Sequence, residues 1–549
     1  MRTLFLAATV AALALQPAAA ATAPAFPAIS VDTLKGVTST LASDAFEGRA
    51  PTTPGEDKSI VYIAGQFAKA GLKPGNNGSW YQDVPLVQVT ATPSVMTISG
   101  GRETLSFSAP KDMVVGTHRT VPHVDLANSP LVFVGYGINA PERGWNDYAG
   151  VDVKGKTVVI LVNDPDWRQP LGQGAFGGRE MTYYGRWTYK YEEAVRQGAA
   201  AALIIHETEP AAYPWDVVVS SWTGPQLDLD DAGTNARNLP MQGWLSNDAA
   251  HRLFAAAGQD LDALAKAAGQ KGFHAVPLNL QASLTLDNKV KRQLSHNVVG
   301  LLPGSSRPGE YFLYSAHWDH FGHCTPDASG DDICNGAIDN ASGVAGLVAL
   351  AKANAKAGPA ARSMIFLAVT AEEAGLLGSA YYAAHPLYPL GKTVAGINMD
   401  VMNVYGATRD IEVIGRGKSE LEPILERWAK VQGRLLVNDA TPERGHYFRS
   451  DHFSFAKQGV PMLAAGSGQD LVNGGIAAGK ARAEDYNTNH YHKPSDEYDP
   501  NWDWSGAVQD LQLYYVIGRE LADGKSWPNW YPTAEFRAAR DKSRAGQKD

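Results

Sequence analysis

Five short segments of this chain carry residues able to bind a cation or move a proton. His317 and Asp319 follow the apolar run YFLYSA, Glu372 and Glu373 follow MIFLAVT, and Asp400 follows VAGINM. Asp339 stands where a helical pattern opens, and His490-Tyr491-His492 lies in a late loop. Singly, each has a plain structural reading: Asp is a favoured helix N-cap, and most His and carboxylate side chains are structural or solvated. Gathered in one place they are costly, because desolvated acids and imidazoles need a compensating charge. A divalent ion relieves that cost. Imidazole with carboxylate suits zinc and, less well, manganese or cobalt. A catalytic zinc takes three protein ligands and keeps one position for water. Three carboxylates and two histidines are too many for one such ion and suit two if one carboxylate bridges.

The elements around these residues explain how they could meet. From about Asn297 the chain alternates strand and helix patterns. Strands are predicted at 298–302, 311–316, 364–370, 394–399 and 460–465, and helices at 339–357, 376–384, 418–432 and 503–522. Such alternation predicts an α/β fold with a mostly parallel mixed sheet sandwiched by helices. In such sheets ligands bind beyond the carboxyl ends of the strands. Residues 30–86 read as helical, with a helix at 57–72, and 87–125 as short strands and turns. The stretch 129–286 reads as a separate unit, with strand-like LVFVGYGI, KTVVILVND and AALIIHE.

Composition narrows the class. The 549 residues favour two or three domains. A hydrophobic fraction of 44% supports a core, and a net charge of -9 argues against a broad nucleic-acid-binding face. Two cysteines exclude a disulfide-dense scaffold and a Cys-rich zinc module. Arg2, the apolar run Leu4 to Leu15 and Ala18-Ala19-Ala20 read as a signal peptide over 1–20. That run is too short to cross a bilayer, which needs about 20 residues, and no later run is longer. The mature chain is therefore expected to begin near Ala21, in the periplasm or outside the cell. In an oxidising compartment Cys324 and Cys334 would form a disulfide; the alternative is two free thiols.

Five pieces carry a family resemblance. They are Ala316-His317-Trp318-Asp319-His320, Gly336-Ala337-Ile338-Asp339-Asn340-Ala341-Ser342-Gly343, Thr370-Ala371-Glu372-Glu373-Ala374-Gly375-Leu376-Leu377-Gly378-Ser379, Asn398-Met399-Asp400 and Tyr491-His492-Lys493-Pro494-Ser495-Asp496. In order and spacing they resemble the co-catalytic zinc aminopeptidases and their glutamate carboxypeptidase relatives. The resemblance includes Phe46-Glu47-Gly48-Arg49 and implies a zinc exopeptidase fold. It implies two Zn2+ ions bridged by Asp339, with His317 and Asp400 completing one site and Glu373 and His492 the other. It further implies Glu372 as the general base acting on a metal-bridged water, and Tyr491 as a donor to the oxyanion. Asp319 is expected to hold the His317 ring or its surroundings, and Asp496 the His492 ring.

Gly135-Tyr136-Gly137, Asp152-Val153-Lys154-Gly155-Lys156 and Gln197-Gly198-Ala199-Ala200-Ala201-Ala202 resemble the protease-associated domain inserted in several extracellular peptidases. The expected organisation is a signal peptide at 1–20, peptidase segments at 21–125 and 291–549, and a β-rich insertion at 126–290. Tyr183-Tyr184-Gly185-Arg186-Trp187 within it could close over the site. Asp451 and His452 could line the substrate pocket or begin a helix.

The favoured reading is an exported aminopeptidase acting on peptides. A carboxypeptidase or dipeptidase of the same fold would need a cation for the substrate carboxylate, and Arg186, Arg416 or Arg449 could supply it. A non-catalytic binding protein on this scaffold, or a single-zinc cyclising enzyme, is disfavoured by the complete ligand set. No His-Glu-x-x-His or Gly-x-Ser-x-Gly motif occurs. The sequence sets no oligomeric state.

Overall fold

The computed structural model describes residues 26–546, so the leader read at 1–20 lies outside the described residues. One large mixed sheet runs through the molecule. Its order is Met462–Leu463, Thr393–Asn398, Arg307–His317, Arg362–Val369, Val276–Leu302, His123–Phe133, Thr157–Leu161, Ala201–Ile205, Met241–Leu245 and Met113–Gly116. The first four strands are mutually parallel. So are the four from His123–Phe133 to Met241–Leu245. Between the two sets Val276–Leu302 pairs antiparallel with both neighbours.

Side-chain alternation decides which helices cover which face. Phe312, Tyr314 and Ala316, with Met364, Phe366 and Ala368, join the core formed with helices Val31–Leu41, Pro54–Lys69, Gly343–Lys356 and Ser505–Asp523. Leu313, Ile365, Leu367 and Val369 face the other side, against Tyr382 of Leu377–Ala384 and Phe455 of His452–Lys457. Every residue of Arg362–Val369 is buried, which is why its Met364–Val369 part reads as an unbroken apolar run rather than an alternating one. Each such aliphatic or aromatic side chain contributes ~1.5–3 kcal/mol.

Most expected elements occur within a few residues of their predicted ends. The helix expected at 57–72 is Pro54–Lys69, started by Thr53 as N-cap and Pro54 in the first turn. The helix expected from 339 begins only at Gly343. Residues 337–342 form an irregular turn in which Asp339 and Asn340 leave helical backbone angles. Asp339 therefore does not serve as a helix cap. The stretch 466–489, without a predicted element, holds the helix Gly475–Asp485. The expected boundary at 290 falls inside the 27-residue strand Val276–Leu302.

The second parallel set lies within residues 123–245, and its strands Thr157–Leu161 and Ala201–Ile205 are wholly buried. This unit touches the first through Tyr183, whose ring lies 5.1 Å from Phe453 and 6.1 Å from Phe448. Lys457 reaches Glu192 across the same contact at 2.8 Å. Cys324 and Cys334 are joined by a disulfide, closing the loop between the short strands Gly322–His323 and Ile333–Cys334.

Arg49 ties these loops to the N-terminal segment. Its side chain is fully buried. It donates to the carbonyls of Trp318 (2.9 Å), Leu41 (2.8 Å), Asn335 (2.6 Å) and Gly336 (2.9 Å). The turn that presents it needs Gly48: at φ +61° a Cβ there would lie 2.5 Å from the Gly322 carbonyl oxygen. Replacing Arg49 by Leu strands several buried acceptors, at roughly 3 kcal/mol or more in total. The Arg49→Leu protein is expected to melt roughly 3 °C lower, at about 1 °C per kcal/mol for a chain of 549 residues. Arg49→Lys, which keeps the charge but not the fork, should recover less than half of that. Calorimetry showing Arg49→Leu within about 1 °C of the parent would remove Arg49 from this role.

Candidate metal centre

Three parallel strands end side by side. Val369 pairs with His317, and Asn398 with Ser315, so the turns after them open on one edge of the sheet. His317 closes its strand, Glu372 and Glu373 lie just past Val369, and Asp400 lies just past Asn398. The irregular 337–342 turn supplies Asp339, and the loop after Gly475–Asp485 supplies Tyr491 and His492.

The side chains meet. His317 Nε2 lies 3.1 Å from Asp339 Oδ1 and 3.2 Å from Asp400 Oδ1. His492 Nε2 lies 3.4 Å from Asp339 Oδ2 and 3.2 Å from Glu373 Oε2. Asp339 thus presents one oxygen to each imidazole. Ligand atoms of His317, Asp339 and Asp400 lie within 4.8 Å of one another, as do those of His317, Glu372 and Glu373, and of His320, Asp339 and Glu373. Tyr491 stacks on His492 with ring centroids 3.7 Å apart.

The braces differ in part from the expectation. The Asp319 carboxylate accepts from the backbone N–H groups of Glu372 (3.1 Å) and Glu373 (3.3 Å). The His317 Nδ1 is nearest the Asp319 carbonyl at 3.2 Å, with the Asp319 carboxylate at 3.8 Å. Asp496 does not meet the His492 ring. It accepts from the N–H groups of Ile338 (3.0 Å) and Asp339 (3.1 Å), and so holds the Asp339 turn. His490 braces its own loop, Nδ1 to the Ser495 carbonyl at 2.8 Å.

Other contributors were given no role in the metal centre from the sequence. Ser450 donates to Asp400 Oδ2 at 2.5 Å and is itself fixed by Asn398 at 2.8 Å. Asn340 donates to the Met399 carbonyl and accepts from Val401, joining the Asp339 turn to the Asp400 turn. His320 Nδ1 lies 2.6 Å from Glu373 Oε1. Each adjoins a residue that drew notice, but no spacing rule shows which way a neighbour's side chain turns.

As protein alone the cluster is electrostatically strained. Burial opposes the charge on His317, but Glu372, Asp400 and Asp339 outweigh it and hold that imidazole well above its ordinary range. Burial, with the charges of Asp400, Glu373 and Asp451, outweighs the opposing pull of His317 and holds Glu372 well above the usual carboxylate range. Burial pushes Asp319 up to about 7, and Asp451 likewise to about 7. Two buried atoms facing the centre, Asp339 Oδ1 and His492 Nε2, have no hydrogen-bond partner. Imidazole nitrogens and carboxylate oxygens left free in this way form a donor set that fits zinc.

Asp451 and His452 are buried, and none of their side-chain polar atoms has a hydrogen-bond partner. Asp451 precedes the His452–Lys457 helix without capping it. Burial and the neighbouring Arg449 charge depress Arg186 to about 10, and its Nε is buried without a partner. Arg416, by contrast, is committed to Asn438 at 2.8 Å.

Known proteins are similar to parts of the chain. Residues 297–516 match Peptidase family M28. The chain is 31% identical to aminopeptidase NAALADL1 of Mus musculus over 138 residues, 24% of this chain and 17% of that protein. It is 31% identical to the glutamate carboxypeptidase 2 homolog of Caenorhabditis elegans over 201 residues, 34% of this chain and 23% of that one. The chain thus spans about a fifth of the length of these curated relatives. Among solved structures, an aminopeptidase from Aneurinibacillus sp. strain AM-1 aligns over 91% of this chain and 95% of its own, at 20% identity and a TM-score of 0.49. The segment that matches Peptidase family M28, 297–516, bears every acid and imidazole of the cluster.

Proposed function

We propose that this chain is an exported zinc exopeptidase working with two ions, and an aminopeptidase in its end preference. The observation that carries this reading is the position of Asp339, one oxygen towards His317 and the other towards His492. His317, Asp339 and Asp400 would hold one Zn2+, and Asp339, Glu373 and His492 the other. When bound, the pair supplies Lewis-acid polarisation of the scissile carbonyl and lowers the pKa of water towards neutrality.

The chain's own groups do the rest. Glu372 lies beside both ligand sets and belongs to neither. Burial and its acidic neighbours raise its proton affinity. It takes a proton from the attacking water as the C–O bond forms. It delivers that proton to the amine nitrogen as the C–N bond breaks. Asp319 keeps Glu372 and Glu373 in place through their backbone N–H groups. The Tyr491 hydroxyl donates to the carbonyl oxygen as negative charge develops there. A peptide's free ammonium group suits this acid-rich edge. The leader at 1–20 and the Cys324–Cys334 disulfide support export. The 126–290 stretch, packed on Phe448 and Phe453 through Tyr183, is read as the protease-associated insertion.

A second reading, a carboxypeptidase or dipeptidase, draws on Arg186 and Arg449. They are neighbouring cations from two parts of the chain, and Arg449 also acts on Tyr491.

Glu372→Gln should retain zinc and fold while losing ~10²–10⁴ in kcat; near-parental turnover would exclude Glu372 as the base. A chelator should abolish peptide hydrolysis and added zinc restore it, with two zinc ions per chain in metal analysis of the active protein. Dipeptides separate the two end preferences. Cleavage of a carboxyl-blocked but not an amino-blocked dipeptide supports the aminopeptidase reading, and the reverse pattern overturns it.

A further inference from the structure

His320 has no part in the reading above, yet it is fully buried against the second half of the cluster. Its Nδ1 is 2.6 Å from Glu373 Oε1, and the other oxygen of that carboxylate, Oε2, faces His492 Nε2 at 3.2 Å. Glu373 is therefore held between two imidazoles, one on each oxygen. His492 Nε2 also faces Asp339 Oδ2 at 3.4 Å. The open donor side of Glu373 is the one it shares with His492 and Asp339.

Space for the His320 ring is built in. Gly336, at φ +52°, lies against it, and a Cβ there would sit 2.6 Å from the ring. Arg49 holds both walls of this slot, donating to the Trp318 and Gly336 carbonyls, while its own carbonyl accepts from the His320 N–H at 3.3 Å. Phe321 covers the ring edge-on, centroids 5.0 Å apart. A side chain so confined has little freedom to swing towards another partner.

We propose that His320 is a positioning residue for Glu373. Its Nδ1–H donates to Oε1 and turns Oε2 towards the zinc site shared with His492 and Asp339. The proposal rests on the two-zinc reading. The competing role is direct ligation, since His320, Asp339 and Glu373 also have ligand atoms within 4.8 Å of one another. An orienting partner of a metal ligand is worth about 10–100-fold in metal affinity. Asn can place an amide N–H close to where Nδ1–H lies, whereas Ala cannot.

The test is zinc competition against a chromophoric chelator, on the full chain as parent, His320→Ala, His320→Asn and His492→Ala. Cobalt-substitution absorption spectra are read on the same samples. The parent should bind two zinc ions. His320→Ala should still bind two, with one of them about 10–100-fold weaker, and His320→Asn should regain most of that loss. His492→Ala should lose the second ion. The cobalt spectrum of His320→Asn should match the parent, because the ligand set is unchanged. If His320→Ala does not fold, His320→Asn still decides the matter: loss of one ion with an altered spectrum makes His320 a ligand and overturns the proposal. Parental zinc affinity in a folded His320→Ala overturns it too. A parent that binds one zinc or none overturns the two-zinc reading instead.

Discussion

Buried negative charge at one edge of a parallel sheet is the constraint on which this structure turns. Asp319, Asp339, Asp451 and Asp496 are almost wholly buried, and Glu372 and Glu373 nearly so. No such cluster persists without compensation. The protein supplies it in tiers. Asp319 and Asp496 are satisfied by backbone N–H groups, two each. Arg49 lies behind the cluster as a buried cation. Asp339, Glu373 and Asp400 are left with oxygens directed at histidines and at each other's neighbourhood. Asp319 and Asp496 hold the turns that carry Glu373 and Asp339, while Asn340 and Ser450 hold Asp400. Charge-assisted bonds of this kind are roughly twice as strong as neutral ones, which suits carboxylates to bracing strand-end turns.

The same logic explains the long reach of the contacts. Arg49 comes from a turn before the Pro54–Lys69 helix and fastens the 318 and 335–336 backbones. Asn340 fastens the 339 turn to the 399–401 turn. Ser450, from before the His452–Lys457 helix, reaches Asp400. Each loop is pinned by a side chain from a different loop, so the cluster's geometry belongs to the whole sheet edge. The 123–286 unit shares the long Val276–Leu302 strand with this sheet, and its Tyr183–Arg186 segment sits beside the 446–453 stretch.

Much of the fold could be read from pattern. Strands buried on both faces show as unbroken apolar runs, and Met364–Val369 is the clearest case. Turn chemistry was harder to read. The start of the Gly343–Lys356 helix is displaced because Asp339 and Asn340 leave helical angles, and no local signal marks that departure. The continuity of Val276–Leu302 was also missed, because a strand passing between two sheet regions shows no composition shift at the crossing.

What the sequence determined by itself is the chemistry: which acids and imidazoles lie at strand ends, and that their types suit zinc. That follows from residue type and chain position alone, since a parallel sheet must bring its strand ends to one edge. Only the tertiary structure decided the pairings. Asp496 serves the Asp339 backbone rather than the His492 ring, Asp319 serves two glutamate N–H groups, and His320 meets Glu373. Those outcomes depend on side-chain direction across contacts 50 to 160 residues apart in sequence. Rotamer and packing set that direction, and spacing along the chain does not encode it.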